Sequence, residues 1–193
     1  VPDFLQYLPS PLSPTARQFF TVWNRWRGER PLPRRREIRL ADLGPQADLH
    51  LMLEIRNRNQ MLFVSAGRTV ADYLGVDVIG ADYLEVTPPE NRRLRQLLTL
   101  EQLLQPCGFV QYYWLNYAGG ALLPVELAGA PLSGDDSDIA DYLMCCCTPL
   151  MDYRPQGAAD PESWSMGEGM RFIDVGFGIP PAMSASPQTQ PTR

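Results

Sequence analysis

Apolar positions recur every three or four residues between 14 and 27 and every second residue from about 49 onward, so the chain reads as helix first and sheet afterwards. Phe19, Val22, Trp23 and Trp26 make one stripe, and Arg17, Asn24, Arg25 and Arg27 occupy much of the remaining surface. Ser13-Pro14 suits the start of this helix. The serine can accept from a free backbone N–H, and proline at the first helical position gives up no hydrogen bond. Gly28 ends the pattern, Pro31 and Pro33 forbid its continuation, and residues 30–46 read as a proline-interrupted connector with a short turn at 40–43.

From Leu49 the period is two: Leu51, Leu53 and Ile55 alternate with His50, Met52, Glu54 and Arg56. A polar turn at 56–59 and a second apolar run, Gln60–Ala66, predict an antiparallel hairpin. Residues 68–84 carry short helical pieces punctuated by Gly75 and Gly80. Thr87 as cap, Pro88 at the first position and Glu90 three residues after the cap then predict a helix from Pro88 to about Gln105. Its expected apolar face is Leu94, Leu97, Leu98 and Leu104, with Arg92, Arg93, Arg95 and Gln102 outside. Phe109–Tyr117, Ala121–Leu132 and Asp141–Met151 are three more strands. This order predicts an α+β fold: a five-stranded antiparallel sheet with helices on one face, plus an N-terminal amphipathic helix. The expected divisions are 1–48 for the helix and arginine-rich connector, 49–151 for the domain, and 152–193 for a C-terminal extension. The extension's tail from Ala182 has the composition of a disordered segment, and its weakly alternating stretch 172–179 needs a surface to lie on.

Composition narrows the classes of function. The 193 residues are 45% hydrophobic, enough for one core. No apolar run approaches the roughly 20 residues that cross a bilayer, and the N-terminus lacks the basic-then-apolar layout of a signal peptide. The expectation is a cytoplasmic protein without a membrane partner. Cysteines 107, 145, 146 and 147 have the wrong spacing for a zinc site and read as small buried side chains in a strand. All 17 basic residues are arginine. Eight of them against Glu29 and Glu37 give residues 17–39 a charge of +6, so the net −5 leaves −11 on the remainder.

The Trp23/Trp26 helix with its following Arg27-Gly28, the Pro33…Glu37-Ile38 connector, the strand His50–Ile55, the Tyr73-Leu74-Gly75…Ile79-Gly80 segment and the Ala130-Pro131-Leu132 strand end before Ser133 resemble, over 17–151, the PAS-like family of short stand-alone bacterial sensory proteins common in alphaproteobacteria. The resemblance implies a curved sheet that encloses a small pocket with the helices between its second and third strands. It also implies a role in sensing, dimerisation or docking to signalling proteins.

Candidate sites follow from these elements. The pocket would be lined by Phe63, Tyr73, Tyr83, Leu94, Leu97, Leu98, Tyr113 and Leu115, holding a small ligand oriented by tyrosine hydroxyls; the same residues could equally fill a core. Arg34, Arg35, Arg36 and Arg39 are candidates for an anion or an acidic partner. The alternative is that the arginines neutralise acidic residues of the chain itself, and the acidic remainder argues against DNA. With His50 as the single histidine, no histidine-based hydrolase site or paired-histidine metal site can be built. Where proteins of the family that the chain resembles bind haem through a histidine, that ligand usually lies on a helix, whereas His50 opens a strand. A photoactive flavin site would need a cysteine where Thr87-Pro88-Pro89-Glu90 stands. The acidic turn at 135–138 lacks the glycine and distal glutamate of an EF-hand loop. The reading is therefore a sensory or adaptor module without cofactor or metal and not an enzyme. It is expected to act as a homodimer, held by the first helix, where Phe19 and Phe20 point about 100° apart, and by the arginine-rich connector after it, and by docking to a signalling partner. The alternative is a small-molecule enzyme with Glu54 or Glu126 as a pocket base, which requires one of them to face inward.

Overall fold

A computed structural model of the chain describes Leu5, Leu8 and residues 11–152, 156–160 and 168–181; the tail from Ala182 lies outside the described residues. Helix α1 spans Pro14–Arg27. Ser13 Oγ accepts from the Ala16 N–H at 3.0 Å, and Gly28, at φ 58°, closes the helix by donating its N–H to Asn24 O. Strands β1 His50–Asn57, β2 Gln60–Ala66, β3 Cys107–Asn116, β4 Leu122–Ser133, β5 Ala140–Pro149 and β6 Glu168–Asp174 form one antiparallel sheet in the order β2-β1-β5-β4-β3-β6. The sheet has six strands where the sequence predicts five. The addition is β6, which pairs Phe172 with Phe109 and Asp174 with Cys107, so the extension's apolar stretch closes the edge that β3 would otherwise leave open.

Short helices α2 Arg68–Leu74 and α3 Tyr83–Val86 and the longer α4 Pro89–Leu104 lie in the chain between β2 and β3. The expected cap of α4 is different. Thr87 Oγ1 donates backward to Tyr83 O at 2.7 Å and so belongs to the end of α3, while Pro88 occupies the cap position without a side-chain hydrogen bond. Arg92 Nε ties the junction by donating to Thr87 O at 2.8 Å.

Alternation along the strands sorts the interior into two cores. Met52, Val110, Ala128, Ala130, Leu132, Met144 and Cys146 face α1 and pack with Phe19, Phe20, Trp23 and Trp26. Leu53, Phe63, Phe109, Tyr113, Leu115, Val125, Leu143, Cys145 and Cys147 face the other way, toward α2 and the turn after it. The three consecutive cysteines therefore straddle the sheet, all buried, as small strand side chains do. Trp23 Nε1 donates to Pro131 O at 3.0 Å, and Trp26 Nε1 donates to Asp42 Oδ2 at 2.7 Å, so both indoles find polar partners inside the fold.

Phe20 does not offer the outward-facing ring on which the expected α1 dimer was argued. Both rings of the pair are fully buried, edge to face at 5.2 Å. The surface assigned to a second subunit is the chain's own C-terminal segment: Ile173 and Val175 join the α1 core, and Arg27 Nη1 donates to Val175 O at 2.7 Å. Gly108 permits this closeness, since a Cβ there would stand 3.2 Å from the Phe20 ring and 3.4 Å from Val175.

Trp23→Ala is expected to cost about 3–5 kcal/mol, because it removes a fully buried ring and leaves a cavity over the sheet. Trp114→Ala, at a position 50% exposed, should stay within about 1 kcal/mol. Urea unfolding midpoints of the two variants check the contrast.

Candidate functional site

The face of the sheet opposite α1 does not close on itself. Between it and α2, α3 and α4 lies a cavity of about 110 Å³. Six of the eight expected lining residues surround it: Phe63, Tyr73, Tyr83, Leu98, Tyr113 and Leu115. Phe63 and Tyr83 meet edge to face at 5.9 Å, and Met170 reaches in from β6. Leu94 and Leu97 do not line it. They stand on the outer side of α4, 45% and 47% exposed, with Leu104 at 80%.

Helix α4 is thus rotated relative to its sequence reading, and of its expected apolar face only Leu98 lines the cavity. Its buried residues are Arg95, Thr99, Gln102 and Leu103, and the first three line the cavity together with Gln111 of β3. Arg95, Thr99 and Gln102 are spaced i, i+4, i+7, so they form a polar stripe on one helix face. That spacing was the available signal. It was hidden because the leucines beside it make an equally regular stripe, and burial of apolar residues is the ordinary outcome.

Arg95 is 5% exposed and is the one charged side chain that lines the cavity among the described residues. Its Nη1 donates to Gln111 Oε1 at 3.4 Å, and its guanidinium stands 5.7 Å from the Tyr113 ring centre, in reach of a cation–π interaction. Tyr113 O–H donates to the same Gln111 oxygen at 2.8 Å. Burial raises the pKa of Tyr83 and Tyr113 above the ordinary tyrosine value, with Arg95 opposing it, so both hydroxyls hold their protons at neutral pH. The site is an apolar chamber with a cluster of hydrogen-bond donors at the α4 side. It can hold and orient a small molecule.

The two carboxylates that an enzyme reading requires are on the other side of the sheet. Glu126 is buried toward α1, accepting from the Ser13 N–H at 3.2 Å and the Tyr112 hydroxyl at 3.0 Å. Glu54 accepts from the Tyr142 hydroxyl at 3.0 Å and from Arg56 Nε at 2.9 Å, beside Met52 of the α1 core in the alternation of β1. His50 engages Ala47 O through Nδ1 and Ser65 Oγ through Nε2, each at 2.6 Å.

The arginine-rich connector meets the chain's own acidic turn. Arg34 pairs with Asp138 at 3.3 Å and Arg36 with Asp136 at 3.9 Å, while the Arg36 N–H donates to Asp135. Arg35 lies over the Tyr142 ring, Arg30 pairs with Glu37, and Arg39 is exposed. Two of the four arginines expected to meet an outside anion therefore already hold carboxylates of the same molecule.

Burial pushes the Cys107 and Cys146 thiols up from 9.0 to about 12 and raises Cys145 and Cys147 as well. All four should resist a thiol reagent at pH 8 in the native state and react once unfolded; rapid native labelling of any one would place it at the surface. The same shift sets a pH dependence. The unfolded thiols ionise near 9 and the folded ones near 12, so the native state holds more protons between these values. Stability is fully present below pH 9 and is lost as pH rises toward 12, which urea midpoints from pH 8 to 11 would record.

Against known proteins, residues 12–143 match the family model described as PAS domain. No curated protein matches the sequence. A solved structure, the Rhodobacter sphaeroides LOV protein, aligns with a TM-score of 0.40 and 13% identity over 53% of this chain and 59% of that one.

Proposed function

The chain belongs to the PAS domain family, and we propose that it is a sensory adaptor in which α4 relays the state of the cavity to a docking surface on the helix's own outer side. One observation carries this reading: α4 is two-faced in an unusual sense. Arg95, Leu98, Thr99 and Gln102 line the cavity, while Leu94, Leu97 and Leu104 stand in solvent on the opposite side. A packed helix moves as a body, so a ligand that reseats the inner face displaces the outer leucines with it. The ligand shifts the equilibrium between two seats by as much as it prefers one of them.

The occupant proposed for the outer face is a second copy of the chain. Arg93 and Glu101 lie four residues to either side of Leu97. An antiparallel pairing of two α4 helices about a two-fold axis at Leu97 therefore brings Arg93 of each copy toward Glu101 of the other, with leucines between them. This replaces α1, whose apolar face is consumed within the fold. The carboxylate-based enzyme reading has lost its candidate base among the described residues, since Glu54 and Glu126 both lie on the α1 side.

Sedimentation equilibrium is expected to show a dimer for the full chain and a monomer for Leu97→Arg with an unchanged melting temperature. A monomeric wild type, or a variant that stays dimeric, rejects the pairing. Native mass spectrometry of the unmodified protein should show a small-molecule mass that is released on denaturation.

A further inference from the structure

We propose that the cavity takes a small neutral carbonyl compound of the ketone type, whose oxygen accepts a hydrogen bond from Gln102 Nε2, an inference that rests on the cavity being a ligand site. Gln102 is 2% exposed, lines the cavity from α4, and its Nε2 has no hydrogen-bond partner among the described residues. A buried amide N–H without an acceptor is rare in folded proteins, and each case calls for a specific reason. The missing partner is an acceptor.

The neighbouring acceptor is already in use. Gln111 Oε1 accepts from Arg95 Nη1 at 3.4 Å and from the Tyr113 hydroxyl at 2.8 Å, so both of its lone pairs are engaged. Thr99 stands one turn before Gln102 on the same helix face and also lines the cavity. A carbonyl oxygen has two lone pairs and can accept from the Gln102 amide and the Thr99 hydroxyl together.

Gln102 calls for an acceptor and not for a charge, because its amide is neutral. Away from α4 the wall is lined by groups such as Val70, Leu74, Phe109 and Leu115. An ion enters such surroundings only by giving up its hydration, which is costly unless a counter-ion replaces it, and Arg95 already has protein partners in Gln111 and the Tyr113 ring. A ketone recovers on α4 the hydrogen bonds that it leaves in water, and its carbon chain gains by contact with the apolar wall. Size sets the length. A cavity near 150 Å³ holds a benzene ring, so one of about 110 Å³ suits a ligand of about four to six non-hydrogen atoms.

The test titrates four probes into the full-length protein at pH 7: butan-2-one, its isostere 2-methylbut-1-ene with no acceptor oxygen, pyrrole as an N–H donor, and butanoate as an anion. The Gln102 side-chain amide resonances are followed by nuclear magnetic resonance. Butan-2-one is expected to shift them saturably and to bind more tightly than pyrrole or butanoate. Gln102→Leu should weaken butan-2-one by about tenfold and leave 2-methylbut-1-ene within about twofold, since one hydrogen bond is lost and the apolar contacts remain. An equal effect of Gln102→Leu on ketone and alkene overturns recognition through the oxygen while leaving the cavity a ligand site. Tightest binding of pyrrole overturns the acceptor, and tightest binding of butanoate overturns the neutral class. If no probe enters the cavity, this inference and the sensory reading of the cavity fall together. Should Gln102→Leu fail to fold, the wild-type Gln102 amide resonances decide, because a hydrogen-bonded ketone moves them downfield and the alkene does not.

Discussion

Everything in this molecule depends on one sheet being covered on both faces. A strand buried on a single side can tolerate polar residues at every second position, but here β3, β4 and β5 bury consecutive residues, and each side chain is committed to one of two chambers. On one side, α1 packs the fully buried Phe19, Phe20 and Trp23 against the sheet. On the other, three separate helices of unequal length cannot follow a twisted sheet so closely, and a cavity remains. The α1 side is a packed core; the other side keeps the cavity.

The second consequence is the rotation of α4. With an apolar sheet opposite, an inner face made of leucines alone would have produced a second packed core. Instead the helix turns Arg95, Thr99 and Gln102 inward and leaves three leucines in solvent. A buried guanidinium carries a desolvation penalty of several kcal/mol, offset only by good geometry around it. Gln111 and the tyrosines provide part of that geometry. Such an exchange lowers stability on both faces of one helix. It is intelligible when the inner face is a binding surface and the outer face a docking surface, because each then has a partner that the isolated chain does not contain.

Charge plays a smaller part than its amount suggests. The +6 segment folds over the acidic β4–β5 turn, but the pairs Arg34–Asp138 and Arg36–Asp136 are wet on at least one side, where an ion pair contributes about 0–1 kcal/mol. The parallel bridge of Arg34 to Ser133 and the Ser133 N–H donated to Pro33 O anchor the connector more firmly, since both groups of that hydrogen bond are buried. The C-terminal strand acts likewise. It completes β3, covers Phe20 and lends Met170 to the cavity wall, so residues on either side of the divisions at 48 and 151 share one interior.

The sequence by itself determined the local structure: the limits of α1 from Ser13-Pro14 and Gly28, the hairpin from alternation around residues 57–60, three further strands, and the burial of Trp23 and Trp26. These are decided by capping, backbone geometry and period, all of which act within a few residues. Phe63, Tyr113 and Leu115 of the cavity were legible from strand alternation, which tells which side chains share a face, whereas Tyr73, Tyr83 and Leu98 stand on helices and followed from the expected place of those helices over the sheet. Only the tertiary structure decided which side of α4 is inside, where Phe20 finds cover, and that Thr87 serves α3 and not α4. A helix with a leucine stripe and a polar stripe has two self-consistent orientations. The choice between them depends on what the opposing surface lacks, which is set by residues far away in the chain.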